Sequence, residues 1–131
     1  MAEVLTVSGP AERFQAILEK MARETSGSKE LVISDRNGLP VASLRRGPKT
    51  APATASATMV LAAAQNVAFN LGLEGQPNVQ IEGPGWKVIV WPLGAGLSLL
   101  GVFDENVNLG YVRMAVQHRM TELKEILDEL A

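Results

Sequence analysis

The sequence contains no cysteine. That excludes disulfides, thiolate nucleophiles and cysteine-ligated zinc. Its single histidine, His118, is too few for the nitrogen-rich sets that hold transition metals. Neither sign of charge dominates. The 12 Lys and Arg against 14 Asp and Glu leave a formal charge of −2. A general nucleic-acid binder is usually clearly basic, so none is expected here. No charged leader followed by an apolar run opens the chain, and the expectation is a cytoplasmic protein.

The most informative absence is local. Thr50 to Leu73 carries no Asp, Glu, Lys or Arg, although 20% of all residues are charged. Pro52 suits a first helical turn and Gly72 a left-handed stop, so the stretch reads as one helix. One stripe runs along Met59, Ala63 and Val67, with Asn66 and Asn70 beside it. Another runs along Val60, Ala64, Ala68 and Leu71, with Leu61 and Phe69 between them. A helix packed on one side only should show charge on the other. This one shows none, so it is expected to be covered twice, by its own sheet and by a second copy of itself. Closed two-fold pairs are the commonest oligomers. The small residues Ala53, Ala55, Ser56, Ala57, Ala62, Ala63 and Ala64 allow close backbone approach. Thr54, Thr58 and Gln65 add to the polar groups, and Pro52 shortens the apolar run below the ~20 residues of a membrane span.

What is present fits one domain over residues 1–131, with 47% hydrophobic residues to build a core. Glu3 to Val7 is apolar enough for a strand or a helical extension. Ala11 to Glu24 reads as a helix, because Phe14, Ile17, Leu18 and Met21 share one face. Leu31-Val32-Ile33 and Leu39 to Leu44 flank Asp35-Arg36-Asn37-Gly38, and Asn-Gly between apolar runs is a strong hairpin signal. Three strands follow the central helix: Asn78 to Glu82, Trp86 to Trp91, and Leu97 to Phe103. Only the first alternates. The other two are apolar on both faces, and so belong in the middle of a sheet covered on both sides. Asn108 is a plausible N-cap for a last helix of about six turns, with Leu109, Val112, Val116, Met120, Leu123, Leu127 and Leu130 on one stripe. The order is helix, two strands, helix, three strands, helix. It predicts an α+β fold with a five-stranded antiparallel sheet sandwiched by helices. The central helix is expected on one face, and the first and last helices on the other.

Chemistry is sparse. Gly47-Pro48-Lys49-Thr50 has the outline of a phosphate loop, but Pro48 stands where such a loop needs a glycine N–H. Gly94-Ala95-Gly96 starts like a dinucleotide fingerprint, but Leu99 replaces the third glycine and a strand follows. There is no Gly-x-Ser-x-Gly elbow, and Asp104-Glu105 reads as a loop leading into the last helix. No catalytic residue, metal ligand or cofactor site is assigned, and the chain is not expected to be an enzyme.

The assembled pattern resembles the roadblock/dynein-light-chain family. The resemblance is carried by residues 31–43 (LVISDRNGLPVAS), the uncharged helix after them, Gln80 to Gly83, Lys87 to Val90, Leu97 to Phe103 and Asn108-Leu109-Gly110. It implies a homodimer through the central helix and the strand from Asn78 to Glu82, joining two sheets. The expected dimer interface comprises Met59, Ala63, Asn66, Val67, Asn70, Val79 and Ile81. It also implies a partner, because MglB-type members bind small Ras-like GTPases and modulate their cycle. The expected GTPase-binding residues are Thr54, Thr58 and Gln65 on the central helix, with Arg45, Arg46 and Lys49 in the basic loop. The sequence ends soon after the last helix, without the C-terminal extension of the MglB type, which points away from direct GTPase activation. The alternatives are a small-ligand sensor of profilin- or sensor-like fold, marked by a cavity between sheet and helices, and a structural dimerisation module.

Overall fold

The computed structural model describes residues 9–45 and 47–130. The segment Glu3 to Val7 and the side chain of Arg46 lie outside them. The elements are α1 (Pro10–Glu24), β1 (Ser28–Ser34), β2 (Pro40–Ser43), α2 (Thr50–Asn70), β3 (Val79–Gly83), β4 (Trp86–Gly94), β5 (Leu97–Asp104), α3 (Leu109–His118) and α4 (Met120–Leu130). All strand pairs are antiparallel, and the five strands lie in the order β2-β1-β5-β4-β3.

Strands that are apolar on both faces bury side chains in two layers. Alternation sends Leu31, Ile33, Ile89, Leu99 and Phe103 to one face, where α1, α3 and α4 meet them with Phe14, Leu18, Met21, Val112, Val116, Leu123 and Ile126. The alternate residues Val32, Val90 and Leu100 face α2, which contributes only Ala57 and Leu61 to a smaller second core. Each large side chain buried this way is worth about 1.5–3 kcal/mol against exposure, so the three-helix side carries most of the apolar stabilisation.

The single last helix expected from the sequence is instead two. Arg119, at φ −97° and ψ 0°, separates α3 from α4. Its N–H still bonds the Ala115 and Val116 carbonyls, and the Leu123 N–H bonds its own carbonyl, so the stripe continues across the joint. The Arg119 side chain pins the break. Its Nε donates to Glu24 Oε1 at 2.7 Å and a terminal nitrogen donates to Glu122 Oε1 at 2.9 Å. The stripe is equally regular on both sides of this joint, so the sequence pattern carries no sign of it. The hydrogen bond from Arg119 holds the Glu24 and Glu122 carboxyls below the usual carboxylate range.

The β1–β2 hairpin forms where Asn37-Gly38 predicts it, with a different turn. Only Gly38 has positive φ, at +79°, so this is not the two-residue turn with both central residues left-handed. Asp35 supplies the rest. Its carboxylate accepts from the Asn37 and Leu39 N–H groups at 2.9 and 3.0 Å. The return strand is correspondingly shorter than expected, beginning at Pro40.

Candidate functional site

The helix α2 starts at Thr50, whose hydroxyl accepts from the Gly47 N–H at 2.9 Å. It ends where expected. Gly72 turns left-handed at φ +69°, its N–H bonds Phe69 O at 3.0 Å and the Leu73 N–H bonds Ala68 O at 2.9 Å. That pair of bonds satisfies carbonyls that the last turn would otherwise leave open. Between these ends α2 touches all five strands. Yet Thr50, Thr54, Ala57 and Leu61 are its only buried residues. Their spacing of four, three and four is one narrow stripe, Thr58, Val60, Ala64 and Ala68 are half-buried beside it, and the other residues of this uncharged helix are exposed.

The structure brings the expected interface residues together on that outward face. Met59 is 72% exposed, and Ala63, Asn66, Val67 and Asn70 are exposed with it. Of the strand residues, Val79 is half-buried against the second core, and Ile81 is 37% exposed at the sheet edge. Three large apolar residues extend the patch beyond what was expected: Phe69 at 81%, with Leu71 and Leu73 also exposed at the helix end. The signal for them was in the sequence, since the charge-free run continues to Leu73.

The expected partner-binding residues divide. Thr54 is a correction: it is fully buried, because its hydroxyl donates to the Gly38 carbonyl at 2.6 Å and lies 3.1 Å from Ala51 O. Thr58 is half-buried and donates to Thr54 O at 3.0 Å. Gln65 is exposed beside an open groove of about 220 Å³ that it lines with Arg36, Thr58, Leu61, Gln76 and Ser98. Arg45 and Lys49 are exposed at the N-terminal end of α2. The Arg45 N–H is fixed by Glu30, at 3.0 and 3.2 Å to its two oxygens. They border a second open groove of about 460 Å³, floored by Val32, Leu100 and Val102 and walled by Ala53. Both grooves open to solvent, and Ala57, Leu61, Val90 and Leu100 fill the space between helix and sheet.

Among the described residues no three His, Asp or Glu side chains come together as a metal site would require. No described helix is long and apolar enough to cross a membrane. The surface offers an apolar, uncharged helix face, an adjoining sheet edge and a basic end. That set of features suits binding another protein surface.

No family model matches the chain. It is 30% identical over 101 residues to the uncharacterised protein MJ0714 of Methanocaldococcus jannaschii, covering 76% of this chain and 85% of that one. Among solved structures it is similar to the gliding protein MglB from Thermus thermophilus, at 25% identity and a TM-score of 0.80 over 98% of each chain. It is also similar in fold to a roadblock/LC7 domain from Streptomyces avermitilis, at 14% identity and a TM-score of 0.79, over 86% of this chain and 96% of that one.

Proposed function

Because the chain belongs to the roadblock/LC7 family and is MglB-like, we propose that it is a non-catalytic, dimeric regulator or scaffold that binds a small Ras-like GTPase and modulates its GTPase cycle. The observation that carries this reading is the outward face of α2. It is long, uncharged and rich in exposed apolar side chains. A free surface of that kind is costly unless a protein covers it.

The dimer uses Met59, Ala63, Asn66, Val67 and Asn70, extended along β3 by Val79 and Ile81. The GTPase meets what the second copy leaves open: Thr58, Gln65 and the basic end with Arg45, Arg46 and Lys49. Thr54 takes no direct part, since it is spent on the hairpin. Arginine is well suited to the carboxylates and phosphates that a nucleotide-binding partner presents. In the sequence Arg45 and Arg46 run straight into Gly47-Pro48, and a stretch of that composition is a poor mount for a rigid catalytic finger. The protein therefore acts by ordering the switch segments of the GTPase.

The test is a pull-down with small Ras-like GTPases from the same organism, loaded with GDP or with a non-hydrolysable GTP analogue. Binding in at least one state is expected, and binding in neither rejects the reading.

A further inference from the structure

The turn between β4 and β5 is closed by two residues. Gly94 pairs with Leu97, and Ala95 and Gly96 between them are both left-handed, at φ +54° and +81°. That is the tight hairpin turn whose twist matches its strands. Its second position is crowded from outside. A Cβ on Gly96 would lie 2.8 Å from Arg36 Cβ and 3.0 Å from Arg36 Nε. Glycine at this position therefore lets the Arg36 side chain, from the turn between β1 and β2, rest against the β4–β5 turn. A terminal nitrogen of Arg36 lies 3.4 Å from the Ala95 carbonyl.

Arg36 is thereby held at the groove of about 220 Å³ between α2 and this end of the sheet. Its charge is unopposed there. Among the described residues lining the groove there is no Asp or Glu. The Oδ1 of Asp35, next to Arg36 in the chain, already accepts from the Asn37 and Leu39 N–H groups. Leu61, Ala62, Pro92 and Leu97 give the groove an apolar wall. Ser98, also in the lining, is 4% exposed and 2.9 Å from the hydroxyl of the fully buried Ser34. The two hydroxyls carry two protons, and the bond between them uses one. With Ser34 as donor, the Ser98 proton is left for an acceptor in the groove. A buried donor without an acceptor is destabilising.

We propose that this groove binds a small organic anion, a carboxylate on a short aliphatic stem. The carboxylate accepts from Arg36, whose planar fork matches its two oxygens, and from the remaining Ser98 proton. The stem lies against the apolar wall. Inorganic phosphate could use the arginine but not that wall. The groove is smaller than the ~300–1,000 Å³ of sites that take drug-sized molecules, which limits the ligand to a few carbon atoms. Thr58 and Gln65 line the groove and also belong to the surface proposed for the GTPase, so a bound carboxylate sits at the margin of that surface. The inference needs neither the partner nor the dimer. It is tested on the protein alone, so the failure of either reading leaves the other standing.

Isotope-labelled protein is titrated with butyrate, with its neutral isostere butyramide and with inorganic phosphate, at neutral pH and constant ionic strength, and followed by amide NMR shifts. Butyrate is expected to move the signals of Ala95, Gly96 and Leu97 and to saturate with a millimolar dissociation constant, roughly tenfold or more below those of butyramide and phosphate. Arg36→Gln is expected to weaken butyrate binding by roughly tenfold or more. Arg113→Gln, at an exposed arginine on α3, should leave it unchanged. Four results overturn the proposal: no saturation by butyrate, butyramide or phosphate binding as well as butyrate, shifts confined to other surfaces, or equal losses from the two arginine variants. If Arg36→Gln disturbs its own hairpin, Ser98→Ala is the second probe, because it keeps every charge. Severalfold weaker butyrate binding by Ser98→Ala supports the site, and unchanged affinity overturns it.

Discussion

The Thr54 hydroxyl donates a 2.6 Å hydrogen bond to the backbone carbonyl of Gly38. That contact ties the first turns of α2 to the tip of the β1–β2 hairpin. The close approach depends on Gly38 as well. At φ +79° it is strained for any other residue, and a Cβ there would lie 2.9 Å from Ala55 Cα. Thr54→Val keeps the shape and deprives a buried carbonyl of its partner, so a loss of about 1–3 kcal/mol is expected. Gly38→Ala should cost at least as much, since backbone strain adds to the clash. Urea unfolding followed by circular dichroism measures both. Unchanged midpoints would remove this contact from the account of how α2 is seated.

Acid should weaken the joint between α3 and α4. Arg119 depresses the Glu24 and Glu122 carboxyls by hydrogen bonding. A depressed carboxyl contributes stability that is fully present above its unfolded value, about pH 4.3, and is lost as pH falls through the lower folded value. Arg119→Met should therefore be less stable than wild type at neutral pH, with a gap that narrows in acid. Thermal unfolding of both proteins from neutral pH to about pH 3 checks the sign. A gap that widens in acid would contradict it.

Ala63 is exposed on α2, so Ala63→Glu fits the isolated chain without strain. In the dimer it places like charges against each other near the two-fold axis, which is strongly unfavourable once they are desolvated. The variant should sediment as a monomer at tens of micromolar where wild type is a dimer, with an unchanged circular dichroism spectrum. A dimeric Ala63→Glu would move the interface off this face.

The layering of the fold was legible because its signals are periodic and local. Four apolar residues on one face of α1, strands apolar on both sides and a charge-free helix each report their own surroundings. The exposed, uncharged face of α2 was legible for the same reason, since charge is missing from every side of the helix. Thr54 was misplaced because nothing in the neighbouring sequence reveals that Gly38, 16 residues earlier, brings a carbonyl to it. The break at Arg119 was invisible because the apolar stripe runs through it unchanged. What fixes it is a set of ion pairs to Glu24 and Glu122, one of them long-range.

The protein itself should not bind nucleotide. The Gly47 N–H that a phosphate loop would aim at its ligand is spent on the Thr50 hydroxyl at 2.9 Å, and Pro48 has none. Titration calorimetry with GTP and magnesium should give no heat of binding below millimolar concentrations. A sub-millimolar dissociation constant would overturn this.

The central claim is that the dimer modulates the cycle of a small GTPase. The most direct measurement is the GTP turnover and GDP release of a small Ras-like GTPase from the same organism that the protein captures, titrated with this protein. One of the two rates should change severalfold and saturate at a stoichiometry of one dimer per GTPase or simpler multiples. Arg45→Ala with Arg46→Ala should leave most of that change in place, far from the roughly 10³-fold loss that removing an inserted arginine finger produces. Rates that stay flat at saturating protein would contradict the account.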